Sequence, residues 1–202
     1  MSKPLLPDEI RQRVAKLYDA MQGKYDEIAG ELSFTCTGCP DNCCDSYFQH
    51  HTHLEWAYLW VGLQALSAEQ LATVQQRAQE YDREEKEKVA EGKRPALMCP
   101  LCVEGLCSVY AHRLLICRLH GVPTGLTQPD GKIQNFPGCF RCQEITEGMG
   151  AVPRMDRTGF YQDFMALEKE WLGVRQYVVP KVKLTIAEMI LKGEPDFSYC
   201  DF

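Results

Sequence analysis

The sequence has no hydrophobic run long enough to cross a bilayer. Its longest, Trp56 to Leu63 (WAYLWVGL), stops far short of the roughly 20 apolar residues that a spanning helix requires. The opening stretch MSKPLLPDEIRQRV has no apolar segment of the secretory type and meets charge early, so a soluble, cytoplasmic chain with no membrane role is expected. A basic excess is missing too. With 22 Lys and Arg against 28 Asp and Glu, the formal net charge is -6, which repels polyanions, and nucleic acid is not an expected partner. Internal repeats and low-complexity tracts are absent. So is the glycine-rich turn after an apolar strand by which the common methyltransferase fold admits an adenosyl cofactor. Only Glu147-Gly148-Met149-Gly150 comes near it, and CQEIT ahead of it makes a poor strand.

Cysteine, by contrast, is plentiful. A chain of 202 residues with 45% hydrophobic composition can bury a core without covalent staples, yet it carries 11 cysteines. In a reducing compartment thiols do not persist as a passive disulfide framework, so this density points to metal or redox chemistry. Ten of them fall in three blocks: Cys36, Cys39, Cys43 and Cys44; Cys99, Cys102, Cys107 and Cys117; Cys139 and Cys142. Each block holds one C-x-x-C pair (CTGC, CPLC, CFRC), a spacing that lets two thiolates converge on one ion while the turn between them aims backbone amides at sulfur. Cysteines that merely fill a core follow helix or strand period; these sit among Gly, Pro, Asp and Asn. Dithiol exchange is the rival chemistry, but it places the pair after a strand and at a helix start, and no strand-helix-strand signal flanks any of the three.

The choice of metal is open at this point. C-x-x-x-C-x-x-C fails because Ser46 stands where the third cysteine is needed, and C-x-x-C-x-x-C fails at Asn42. Zinc accepts any four converging thiolates. Neighbouring side chains such as those of Cys43 and Cys44 point apart in an extended chain, which suits two metal atoms better than one. Arg113, Arg118 and Arg141 lie close to cysteines in sequence, where they either offset the negative charge of a thiolate centre or are ordinary surface cations. His50, His51, His53 and His120 offer nitrogen ligands, or are polar residues at helix ends. Cys200 has no companion and reads as a free thiol.

The remaining signals are helical. Ile10, Val14, Leu17 and Met21 mark an amphipathic helix over about residues 7–23. Thr52 with Glu55, Ser67 with Gln70 and Thr185 with Glu188 fit the capping box. WAYLWVGL reads as core. QQRAQEYDREEKEKVAEG reads as a solvated arm ended by Gly92 and Pro95, and AHRLLICRLH as a short helix closed by Gly121. Residues 121–138, with three prolines and four glycines, read as loop and turn, and FYQDFMALEKEWL as a late helix.

CTGCPDNCC followed by CPLCVEGLCSVYAHRLLICRLHG resembles the bacterial YkgJ-type cysteine-cluster family, a zinc- or iron-chelating domain named for its CxxCxxCC signature. Cys99, Pro100, Cys107, Ser108, Val109, Tyr110, Arg113, Cys117 and Arg118 fall where that family has its second segment, and the likeness runs over about Cys36 to Cys142. Three residues instead of two separate Cys39 from Cys43, Leu114 stands where proline is usual, and Cys102 is additional. The resemblance implies metal chelation through cysteines, and some relatives are flagellin lysine methylases. The expectation is therefore a mainly α, single small domain with irregular cysteine-rich metal-binding loops and little or no strand. Its metal-binding core covers about 34–145, with helical flanks at 1–33 and 146–202. The ten clustered cysteines are expected to hold an iron-sulfur cluster, with zinc as the alternative, in a redox or metal-handling role. A structural zinc protein or a methylase-like enzyme acting on a protein partner are the other possibilities.

Overall fold

A computed structural model describes residues 6–37 and 43–198, apart from the Cys43 side chain; the expectations for Cys39, the Cys43 thiol and Cys200 lie outside the described residues. In chain order the helices are α1 (Asp8–Glu31), α2 (His53–Gln64), α3 (Ala68–Ala90), α4 (Leu115–Leu119), α5 (Phe140–Thr146), α6 (Thr158–Leu172) and α7 (Ile186–Lys192). The strands are β1 (Cys102–Val103), β2 (Leu106–Cys107), β3 (Thr124–Thr127), β4 (Ile133–Phe136) and β5 (Met155–Asp156). The chain is mainly α, as expected. It divides into two compact units. Unit 1 comprises residues 1–11, 44–114 and 168–202; unit 2 comprises residues 12–43 and 115–167. Among the described residues no helix is long and apolar enough to cross a membrane.

Unit 1 is built on α2, whose apolar run is buried on most sides through Leu54, Ala57, Tyr58, Leu59, Trp60 and Leu63. The two tryptophans are not only filler. Half-buried Trp56 and buried Trp60 both donate their indole N–H to the Met189 carbonyl in the middle of α7, at 3.1 and 3.0 Å, which satisfies the polar edge of each ring. The caps read from sequence form at Ser67 and Thr185, each accepting an N–H three residues on while Gln70 or Glu188 reaches back. At Thr52 the side chain accepts the Glu55 N–H, but its hydroxyl donates to Glu55 Oε2, so only half of the box is made. The charged arm proves to be a packed helix. α3 lies along α7 and buries Val74, Ala78 and Glu85, residues spaced to share one face that the surrounding charge obscured.

In unit 2 the buried stripe of α1 reads Val14, Tyr18, Met21 and Ile28, continuing past Gly23, where the sequence had suggested a stop. An interior glycine costs about 1 kcal/mol, too little to end a helix whose apolar face goes on. Tyr18 stacks on Phe164 of α6 with ring centroids 5.8 Å apart. The Gly- and Pro-rich stretch after α4 is a hairpin: β3 pairs antiparallel with β4, from Thr124 opposite Phe136 to Thr127 opposite Ile133, and parallel with β5. The turn between them, QPDGK, has Gly131 at φ +82°. Pro-Asp-Gly is a turn signal, and the strands it joins are too short to show alternation.

Candidate metal centre

The CPLC turn is held by three backbone hydrogen bonds. Cys99 donates its N–H to the carbonyl of Cys44, Cys102 donates to the carbonyl of Cys99, and Ser108 donates to that of Leu101, with lengths of 2.9, 2.9 and 2.8 Å. The chain then reverses through Glu104 (φ +50°) and Gly105 (φ +82°), the two left-handed residues of a two-residue hairpin, and β1 and β2 set Cys102 opposite Cys107. The guanidinium of Arg77 braces the turn by donating to the Cys102 carbonyl at 3.1 Å. The backbone N–H groups of Leu101 and, more weakly, Cys102 lie near enough to the Cys99 sulfur to act on it. These donors favour thiolate. Burial outweighs them and, helped by Cys107 and Cys102 nearby, pushes the Cys99 thiol up to about 12 in the metal-free chain.

A second group forms in unit 2. Cys139 holds the N-cap position of α5 and Cys142 lies in its first turn, with Cys139 N–H bonded to the Gly121 carbonyl at 2.9 Å. Cys142 is fully buried; its burial first, then Cys139 and Cys36, pushes its thiol up to about 11. Cys36 is exposed, with the Tyr25 hydroxyl 4.0 Å from its sulfur. Gly121 and Gly138 make the loop possible. Both have positive φ; a Cβ on Gly121 would strike the Tyr25 ring, and one on Gly138 would strike the Gly121 carbonyl.

The fold therefore regroups the thiols. Cys44 is tied through its carbonyl to the second block, whereas Cys36 is coupled to the third, and the division between units falls between Cys43 and Cys44. Cys117 is half-buried in α4 of unit 2. Cys99 stands within electrostatic reach of Cys102 and Cys107, and Cys142 of Cys139 and Cys36, but among the described residues no three Cys, His, Asp or Glu side chains form a ready ion site. The donor chemistry fits a thiophilic metal.

The other proposed contributors are placed elsewhere. Arg113 lies over the Tyr110 ring at 3.8 Å, Arg118 over Tyr18 at 4.1 Å, and Arg141 pairs with Glu144 at 3.5 Å. His50 and His53 are not exposed helix-start residues but buried ones, with His50 Nδ1 3.6 Å from Glu55 and His53 Nδ1 3.8 Å from Glu168; only His51 is exposed. His120 follows α4, half-buried. Gly148 and Gly150 come after a helix, not a strand, so they do not form the cofactor turn of a methyltransferase. CFRC follows β4, opens α5 and precedes β5, but β4 and β5 run antiparallel on opposite sides of β3, so the parallel strand-helix-strand unit of dithiol-exchange folds is not formed.

Compared with family models, curated proteins and solved structures, the chain finds no match.

Proposed function

We propose that this protein binds metal through cysteine thiolates in two centres, one in each unit. Cys44, Cys99, Cys102 and Cys107 would hold the first. Cys36, Cys139 and Cys142 would hold the second, joined by Cys117 or by Cys39 and Cys43. The observation that carries this is the CPLC turn, which sets Cys102 opposite Cys107 and keeps both, with the Leu101 and Cys102 backbone N–H groups, close to the Cys99 sulfur. Backbone donors to sulfur tune thiolate ligands and are of no use to a thiol that only fills space. Because ligation takes the proton from each thiol, the raised Cys99 and Cys142 keep these groups protonated and unreactive until an ion arrives.

Iron-sulfur is the first assignment, since ten clustered thiols exceed what one ion requires, and a redox or metal-handling role follows from it. Zinc is the alternative, favoured for the first centre by its four cysteines, the number that closes one tetrahedral site. Anaerobic purification with iron, zinc and sulfide analysis and a visible spectrum separates them: brown protein with sulfide supports the cluster, colourless protein with zinc the alternative. Cys102→Ser and Cys139→Ser should each remove part of the metal. Protein that holds neither metal with all thiols free would end the proposal. A second reading rests on CFRC at the start of α5: dithiol exchange between Cys139 and Cys142, which a disulfide between them in the metal-loaded protein would establish in place of the second centre.

A further inference from the structure

Arg157 stands at the end of β5, in unit 2, and is buried, with only 4% of its surface exposed. Strand alternation puts it on the same face of the β4-β3-β5 sheet as Met155, with Thr124 and Phe136 in the adjacent row, and this face is closed by Met155 and Thr124. The side chain reaches across β3 to lay its guanidinium on the Phe136 ring, 3.6 Å from the centroid, with the Tyr161 ring at 5.2 Å. Its backbone is fully used, the N–H on Gly125 and the carbonyl on Tyr161 N–H. Its side chain is not. No N–H of the guanidinium meets an acceptor among the described residues, and Nε is buried without one.

A buried cation without a carboxylate is an expensive arrangement, and two ring faces offset only part of the cost. A neutralising group stands next door and is not used for it: Asp156 turns its carboxylate to the Thr158 N–H at 2.9 Å instead. Nε is fully closed off without a partner, and the guanidinium plane is held by the Phe136 ring. The start of α6, immediately after Arg157, adds a field that favours negative charge.

From this geometry we infer that Arg157 is the anchor of a small-oxyanion site, a carboxylate or phosphate group received by the unpaired guanidinium preset on Phe136 and Tyr161. The ligand would supply the missing counter-charge and take two parallel N–H bonds, a geometry matched by the arginine fork and not by lysine. The site is independent of the cysteine centres.

The test uses the full chain, metal-loaded as purified, in a buffer without carboxylate, phosphate or sulfate. Inorganic phosphate and acetate are titrated separately by calorimetry and by thermal denaturation, and the stronger of the two names the ligand class. Saturable binding by one of them, with a rise in Tm, is expected. Arg157→Met should abolish both effects while leaving the anion-free Tm equal to wild type or higher, because it removes an uncompensated charge. Arg157→Lys, which keeps the charge without the fork, should weaken binding at least tenfold and guards against misfolding of the methionine variant. Absence of saturable binding by both anions, or undiminished affinity in Arg157→Lys, would overturn the inference.

Discussion

Gly138 is the backbone position on which the cysteine loop of unit 2 turns, and replacing it with alanine measures how that loop is held. Gly131 provides the comparison, because both residues have nearly the same positive φ, +86° and +82°. At Gly131 an added Cβ meets nothing within 4 Å, so Gly131→Ala carries only the left-handed strain of an L residue, about 1–2 kcal/mol. At Gly138 the same strain comes with a Cβ driven into the Gly121 carbonyl oxygen and 3.0 Å from the Val122 carbonyl carbon, both backbone atoms that no rotamer change can move aside. The Cys139 N–H bond to that same carbonyl must lengthen, and a donor left unpaired in a buried place costs roughly 1–3 kcal/mol. Gly138→Ala should therefore cost about 2–5 kcal/mol, about twice its comparison or more. Urea unfolding should be followed by far-UV circular dichroism, since the tryptophans Trp56, Trp60 and Trp171 all belong to unit 1 and their fluorescence would report the wrong part of the chain. Metal analysis should show loss of the second centre with the first retained. Equal losses for the two variants would mean that the close approach of Gly138 to Gly121 contributes nothing, and the account of the loop would fail.

Three further outcomes follow from buried groups. In metal-free protein at neutral pH, iodoacetamide should label Cys139 well before Cys142, whose thiol is raised to about 11; equal rates would contradict its burial. Since an unfolded thiol titrates near about 8.5, the contribution of Cys142 is complete below that pH and lost as pH rises through about 11, so Cys142→Ala should flatten the alkaline fall in stability. Burial raises Glu85 above the carboxylate range, against hydrogen bonds from Tyr47 at 2.9 Å and Thr185 at 3.4 Å, so its stabilisation is present at low pH and lost as pH climbs through the raised value. At neutral pH Glu85→Gln should match or exceed wild type in urea while Glu85→Ala loses about 1–3 kcal/mol; identical losses would refute the assignment. Gly62→Ala gains about 1 kcal/mol of helix propensity but sets a Cβ 2.7 Å from Cβ and Cγ of His112, for a net loss that the added change His112→Ala, which keeps its Cβ, should recover only in part and His112→Gly more fully.

What could be read in the sequence was local. The Ser67 and Thr185 caps, the late helix at α6 and the buried run of α2 are specified within four or five residues by hydroxyls, spacing and apolar content, and they form where expected. What could not be read depends on partners distant in the chain. β1 and β2 have two residues each, too few for any alternation, and they exist because Cys102 meets Cys107 across Glu104 and Gly105. Glu85 looks like every other acid in its charged surroundings until α7 covers it with Thr185. His50 and His53 look like helix-start residues until Glu55 and Glu168 enclose them.

The cysteines show the same limit in a form that bears on function. Sequence proximity groups Cys36 with Cys44, eight positions apart, but the chain between them passes from one compact unit to the other, and the two end against different partners. The chain leaves one unit for the other between Cys43 and Cys44, within the short 3-10 turn Cys43–Asp45. Centres divided in this way share no ligand, and changes at independent sites add. The metal lost on substituting Cys102 and Cys139 together should thus equal the sum of the separate losses, whereas a single shared centre would be emptied by either substitution alone.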